Sequence, residues 1–277
     1  MRTKRFKPQY IIIYFVLILY TFYTIYPIFL MVVTSLKSNK EIFSNPSGFP
    51  IDVTFSGFET LFRKENYTIY FANSFYVTIM SSVILLGVSL LLAYALSRYT
   101  DKLSKFLYFY FLAGMMIPLR LGLLTLNDLL YNLKLIDRLW GIIIIYIAMN
   151  IPFTMFILTG FIKMIPNTLE ESAFIDGANT WKVLRKVIIP LIKPAIATVI
   201  VYNFIPIWND VYFPLIFIKT KEKRTLMLAV TMFFGQFSTN WNLVFSALTL
   251  ACVPVLIIYL FGSKYLIKGL LAGAVKG

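Results

Sequence analysis

Histidine is absent from the 277-residue chain, and cysteine occurs once, at Cys252. Without histidine the chain cannot build a histidine-ligated zinc or haem site or use a histidine general base. A single cysteine excludes an internal disulfide and a cysteine-based metal cluster. We therefore expect no catalytic residues and no metal site, because the usual nucleophiles and ligands of a membrane-embedded enzyme are missing.

Charged residues are also scarce. They make up 14% of the sequence, whereas hydrophobic residues make up 59% and the mean hydropathy is +0.79. An ordinary soluble domain has about 45–50% apolar and about 25% charged residues. The composition therefore predicts an all-α polytopic membrane protein. The net charge is +14, and the basic residues that produce it lie between apolar runs. We therefore expect these residues to face membrane lipid rather than nucleic acid.

Six apolar runs are long enough to form transmembrane helices. The predicted spans are about 10–33, 71–94, 106–126, 140–162, 188–208 and 241–265, and they form a single transmembrane domain over residues 1–277. The first run exceeds the apolar region of a signal peptide and lacks a small-residue cleavage site. We therefore predict an uncleaved first span.

A polar segment, residues 166–187, interrupts the apolar sequence between the fourth and fifth spans. Thr168 and Glu171 have the spacing of a capping box at the start of a helix. Gly177 is a stop signal, and Asn179 can cap a second helix before Pro190. The segment is therefore predicted to form two short helices outside the spans.

Ala173 and Gly177 lie four residues apart, so on one helix they would share a face that a partner could approach closely. Lysine and arginine are more numerous on the side of the six spans that carries this segment, and they lie there on shorter connections. The positive-inside rule then places the segment and both termini in the cytoplasm.

The polar segment resembles the EAA loop of ABC importer permeases. Glu171, Ser172, Ala173, Gly177, Val187, Ile189 and Pro190 occupy its motif positions at the family spacing, with conservative departures at Ser172, Val187 and Ile189. The resemblance extends along nearly the whole chain to the maltose-type (MalG-like) sugar permeases, through the sequences SLKSNKEIFSNPSGFP, FANSFYVT, MMIP, WNDVYFPLIF and GAVKG.

This resemblance implies a type I ABC importer permease fold with a cytoplasmic coupling helix that docks onto an ATPase. The implied ATPase-coupling residues are Glu170, Glu171, Ala173, Asp176, Gly177, Ala178 and Pro190. The implied ATPase contacts of the tail are Gly273, Val275, Lys276 and Gly277. The implied partners are a homologous MalF-like permease, two ABC ATPase subunits and an extracytoplasmic sugar-binding protein.

The chain contains no P-loop of the form G-x-x-x-x-G-K-[ST]. We therefore expect it to bind no cofactor and to be no enzyme itself. A separate ATPase subunit is expected to use ATP and Mg²⁺. The resemblance also implies a bacterial-type cell membrane.

Five residues within spans or near their ends are candidates for a sugar pathway: Asn150, Asn203, Trp208, Asn209 and Asp210. An amide offers the donor and the acceptor that sugar hydroxyls need, but it can equally bond a neighbouring helix. The predicted function is import of sugars, and the resemblance favours oligosaccharides. A permease for amino acids or peptides is the alternative, and an ion-coupled carrier is less favoured because ionisable groups lie near span ends.

Overall fold

The computed structural model describes residues 9–117, 119–234 and 239–274, and every regular element in these ranges is helical. The α-helices are α1 Gln9–Ser35, α2 Asn39–Ser44, α3 Ser56–Arg63, α4 Tyr67–Arg98, α5 Lys102–Gly114, α6 Leu123–Asn132, α7 Leu139–Lys163, α8 Asn167–Ile175, α9 Thr180–Val183, α10 Ile189–Leu191, α11 Lys193–Asn209, α12 Tyr212–Phe217, α13 Leu226–Thr231 and α14 Trp241–Ala274. Two 3-10 turns, Leu119–Gly122 and Lys221–Lys223, and a π-helical turn, Leu184–Ile188, complete the list. The all-α prediction is confirmed.

Within the described residues, four helices are long and apolar enough to cross a membrane. They are Tyr10–Ser35, Tyr67–Arg98, Leu139–Lys163 and Trp241–Lys264. The bent pair Thr180–Leu191 and Lys193–Asn209, which meet at 77°, can supply a fifth crossing. The bend falls at Ile192, where φ is −95° and ψ is 13°, two residues before Pro194, which cannot donate a helical hydrogen bond.

The predicted third span, 106–126, is not a continuous helix. Helix α5 ends at Gly114, and the chain resumes helical structure in the 3-10 turn and α6. At about 1.5 Å per residue, α5 is roughly 20 Å long, which is shorter than a bilayer core of about 30 Å. The count of six spans therefore stays a prediction.

Packing divides the chain into two compact units. This division does not test the prediction of a single transmembrane domain. One unit combines the residues up to Tyr67 with Val230–Cys252. Within it, the Asn242 side-chain amide donates to the carbonyls of Ser35 at 3.0 Å and Lys37 at 2.7 Å. The fully buried Lys37 ammonium donates to the Asn45 carbonyl at 2.7 Å. These bonds fix the connection that follows α1.

The other unit contains Thr68–Ala229 and Val253–Gly277. Its largest described apolar cluster joins α4, α7 and the bent pair through Leu90, Ala93, Leu96, Met155, Leu158, Ile162, Val183, Leu184, Ile188, Ile192, Ala195 and Val199. Ala173 and Ala178 of the polar segment pack against this cluster. The segment therefore lies on the ends of α4 and α7.

A second cluster in this unit includes Ile142, Ile143, Phe213 and Phe217. Beside it, Asp137 accepts hydrogen bonds from the backbone amides of Lys219 and Thr220, both at 2.9 Å. It also forms an ion pair with Lys223 at 2.9 Å. The loop before α7 is thereby joined to the loop that follows α12.

Candidate functional site

The first helix of the polar segment, α8, begins one residue before Thr168. Its N-cap is Pro166, with ψ of 136° and no side-chain capping bond. Thr168 lies inside the first turn, where its carbonyl accepts the Ser172 hydroxyl at 2.8 Å. The capping-box prediction is therefore wrong, because a residue inside the helix cannot act as its N-cap.

Helix α8 ends in a left-handed turn at Gly177, where φ is +79°. The Gly177 amide donates to the Phe174 carbonyl at 3.0 Å, and the Ala178 amide donates to the Ala173 carbonyl at 2.9 Å. This pair of bonds defines a Schellman motif, for which glycine has no Cβ penalty. The stop signal is confirmed. Ala173 and Gly177 do not share a helical face, however, because α8 ends at Ile175.

The second helix begins where the sequence predicts. The Asn179 side-chain oxygen accepts the Lys182 amide at 2.9 Å and caps α9. The helix then widens, with the Ile189 amide bonded to the Leu184 carbonyl, five residues earlier. Pro190 follows directly, and its ring would crowd the carbonyl four residues before it in a regular helix. The π-helical turn relieves this crowding and lets the helix continue to Leu191.

Glu170 is an internal residue, with 5% of its surface exposed. One carboxylate oxygen accepts the Arg98 Nε at 2.6 Å, and the other accepts the Tyr94 hydroxyl at 2.8 Å. The Arg98 Nη2 also donates to the Ile165 carbonyl at 3.3 Å. Sequence analysis missed Tyr94 and Arg98, because only the folded chain brings the end of α4 to α8.

Glu171 lies about 100° around α8 from Glu170 and is exposed. Within the described part of the chain, no hydrogen bond or ion pair involves its carboxylate. Ile175, four residues on and therefore on the same face, is 87% exposed. Ser172 and Thr168 complete this surface, which we call the docking face. It combines a free carboxylate with a large exposed apolar side chain.

The remaining coupling candidates differ in exposure. Asp176, Gly177 and Pro190 are exposed, whereas Ala173 and Ala178 are half-buried against the apolar cluster. Trp181 at the start of the second helix is 60% exposed. Of the tail candidates, Gly273 lies in α14, which continues past the predicted end of the sixth span. Val275, Lys276 and Gly277 lie outside the described residues.

The candidate pathway residues make separate structural contacts. The Asn150 amide donates to the Tyr146 carbonyl of its own helix at 2.7 Å. Asn203 is buried and donates to the Thr154 hydroxyl of α7 at 3.0 Å, which is the interhelical bond weighed above. Its side-chain oxygen has no partner within the described residues. Trp208 is buried against the ring of Phe71.

The last two candidates lie at the end of α11. Asn209 is exposed and bonds the Ile205 carbonyl of its own helix at 3.0 Å. Asp210 accepts the Tyr146 hydroxyl at 2.7 Å and the Phe213 amide at 3.1 Å. Asp210 therefore accepts an amide in the first turn of α12 from the position before the N-cap residue, Val211. These contacts assign structural roles to the candidates and leave the pathway prediction untested.

The described residues contain no cluster of carboxylate and cysteine side chains able to hold a metal ion.

The fold is that of an ABC importer permease. The chain matches the crystal structure of a bacterial ABC transporter involved in the import of the acidic polysaccharide alginate, with a TM-score of 0.82 and 23% identity over 95% of this chain and 99% of that chain.

Two relatives are similar in sequence over nearly their whole length. The chain is 32% identical to the melibiose/raffinose/stachyose import permease protein MelC of Bacillus subtilis over 91% of each chain. It is 32% identical to the diacetylchitobiose uptake system permease protein DasC of Streptomyces coelicolor, over 91% of this chain and 92% of that one. Residues 84–271 match the binding-protein-dependent transport system inner membrane component family. The chain belongs to this family of membrane transport permeases.

Proposed function

We propose that the chain is the permease subunit of an ABC importer for sugars, in particular oligosaccharides, in a bacterial cell membrane. It forms half of the translocation pore with a homologous MalF-like permease. An external sugar-binding protein delivers the substrate, and two separate ATPase subunits hydrolyse ATP with Mg²⁺. Closure of the ATPases moves α8 and reorients the pore between its outward and inward openings.

The docking face carries this proposal. An isoleucine that is 87% exposed and a carboxylate with no partner among the described residues lie four residues apart on a short helix between two apolar helices. Exposed apolar side chains grouped with polar ones are typical of a protein interface. The left-handed turn leaves open space around Gly177, since no described atom beyond its two neighbours in sequence lies within 4 Å of a Cβ added there. An ATPase surface can therefore approach both α8 and its end.

The role of Glu171 can be tested by magnitude. If its carboxylate only favours the start of α8, truncation costs about 1 kcal/mol or less. If a cationic or amide group of the ATPase binds it, truncation weakens docking by roughly 2–5 kcal/mol because the partner is left unpaired. A cost of about 1 kcal/mol is roughly fivefold in affinity, whereas 2–5 kcal/mol is roughly 30- to 5,000-fold.

The experiment measures ATPase attachment and ATP hydrolysis in complexes purified from native membranes and reconstituted in nanodiscs. Glu171→Gln and Ile175→Ser should each release the ATPase while the chain remains in the membrane. Asp101→Asn is the matched control, because Asp101 is an exposed carboxylate that caps α5 and asparagine preserves the cap. Full attachment in both docking-face variants would refute the docking role.

Sugars are proposed as the substrate because the relatives named above are permeases for sugar uptake. The cognate binding protein offers the sharpest test. Calorimetric titration with mono- and oligosaccharides, amino acids and peptides should show binding of an oligosaccharide. Selective binding of an amino acid or peptide would move the chain to the alternative class of ABC permease.

We further propose that both termini and α8 face the cytoplasm. In a Cys252→Ser background, a cysteine at Lys182 should react with a membrane-impermeant maleimide only after the cells are opened. A cysteine at Asp52 should react in intact spheroplasts. Both positions are exposed, and neither side chain caps a helix. Labelling of both from one side would contradict the orientation.

A further inference from the structure

We propose that Glu170, Arg98 and Tyr94 form a rigid joint that makes α8 and α4 move as one body, so that α4 carries the motion of the docked ATPase to the opposite side of the membrane. The inference rests on the proposed docking of α8 and assigns Arg98 and Glu170 as positioning residues. They act through α4 rather than through contact with substrate or nucleotide.

Both oxygens of the Glu170 carboxylate take part in the joint. Arg98 binds one oxygen through both Nε and Nη2, and the Tyr94 hydroxyl binds the other at 2.8 Å. The same guanidinium donates to the Ile165 carbonyl at 3.3 Å. Arg98, the last residue of α4, therefore bonds the first turn of α8 and the connection after α7. Charge-assisted bonds to a planar guanidinium fix direction as well as distance.

Apolar packing alone holds α8 weakly. Ala173, a small side chain, packs against the apolar cluster. The larger apolar side chains of α8 are more exposed: Leu169 by 46%, Phe174 by 44% and Ile175 by 87%. By contrast, the side chains of Arg98 and Glu170 are 15% and 6% exposed. A buried ion pair is a poor source of net stability compared with apolar packing of the same volume. Its directional geometry is the property that a joint between two helices needs.

The other end of α4 is also bonded to a loop. The Asn73 amide donates to the carbonyls of Glu222 at 2.8 Å and Arg224 at 3.0 Å, and the Ser74 hydroxyl accepts the Leu226 amide at 2.7 Å. The helix between these contacts and Arg98 is continuous. At about 1.5 Å per residue it spans roughly 35–40 Å, enough to cross the bilayer core. Displacement of α8 is thereby passed to residues 222–226.

The test follows a spin label on the far loop. Lys221→Cys in a Cys252→Ser background is labelled, and its spectrum is recorded with and without ATP, Mg²⁺ and vanadate in the intact complex. The unaltered joint should give a nucleotide-dependent spectral change. Glu170→Gln and Arg98→Met should each reduce this change about tenfold, within the range of allosteric coupling energies. The control Asp101→Asn should keep the full change.

A covalent link tests whether a connection between the two positions is sufficient for the motion to reach the far loop. Arg98→Cys combined with Glu170→Cys should lose the spectral change, and a short bis-maleimide that joins the two cysteines should restore it. Restoration would show that the connection between α4 and α8, and not the two charges themselves, carries the motion. A full spectral change in both single variants, or failure of the link to restore it, overturns the joint. Absence of any ATPase from the wild-type complex would instead overturn the proposed function, and the joint with it.

Discussion

Gly177 ends α8 with a φ of +79°, a backbone conformation that L side chains rarely adopt. Helix propensity alone predicts that Gly177→Leu improves the segment, because leucine is a better helix former than glycine. The structure reverses this expectation, because residue 177 lies in a left-handed turn. For most residues with a Cβ this conformation costs roughly 1–2 kcal/mol, and for asparagine it costs less.

The cost can be assigned to the backbone. Apart from the two neighbouring residues, no described atom lies within 4 Å of a Cβ at position 177, so an added Cβ meets no steric clash there. The strain loosens the turn in which the residue 177 amide bonds the Phe174 carbonyl and the Ala178 amide bonds the Ala173 carbonyl. A destabilisation of about 1–2 kcal/mol corresponds to roughly 5–30-fold faster local exchange of these amides.

Hydrogen exchange measured by mass spectrometry on nanodisc-embedded protein, without ATPase, reports this turn directly. Exchange of residues 173–183 should be slowest in the wild type, faster in Gly177→Asn, and fastest in Gly177→Ala and Gly177→Leu. ATPase attachment should follow a different order, since leucine fills the open docking space while alanine adds one methyl group. Wild-type exchange rates in the alanine and leucine variants would refute the assignment of strain to the left-handed turn.

Three further predictions concern other parts of the chain. Burial opposes ionisation of Asp137, but bonds from Thr220, Lys223 and the Lys219 amide outweigh it and hold its pKa well below the ordinary 3.8. Because the pKa of Asp137 is lower in the folded state, the stability that its carboxylate contributes is complete above about pH 4 and is lost as the pH falls through the depressed pKa. Asp137→Asn should expose residues 217–224 to protease at pH 7. Unchanged cleavage would contradict the role of Asp137 in holding this loop. Asn203→Ala should cost about 0.6–1.7 kcal/mol by removing the interhelical bond to Thr154, measured as thermal unfolding of the detergent-purified chain; unchanged stability would show that the bond contributes nothing. Lys37→Met should leave the Asn45 and Pro46 carbonyls without their donor, at a cost of about 1–3 kcal/mol for each group left unpaired. Proteolysis of residues 38–55 should therefore be faster. A cleavage rate equal to that of the wild type would count against a role of Lys37 in holding this connection.

Features that depend on neighbours in sequence could be predicted. The apolar runs predict membrane helices, because the transfer of side chains into lipid depends chiefly on composition. The stop at Gly177 and the cap at Asn179 involve hydrogen bonds between residues at most five positions apart. The spacing from Glu171 to Pro190 likewise predicts the family, which the matches confirm.

The tertiary structure decided which of two adjacent glutamates is buried. Glu170 and Glu171 have the same chemistry, but about 100° separates neighbouring side chains on a helix, so only one can face Arg98. Residue type alone could not separate them, because the cation that binds Glu170 comes from another helix. Trp208 and Asn203 are a second case, since helix packing placed both in the interior. Local hydrogen bonds and hydropathy follow from the sequence, whereas the partner of a buried polar group depends on which distant element packs beside it.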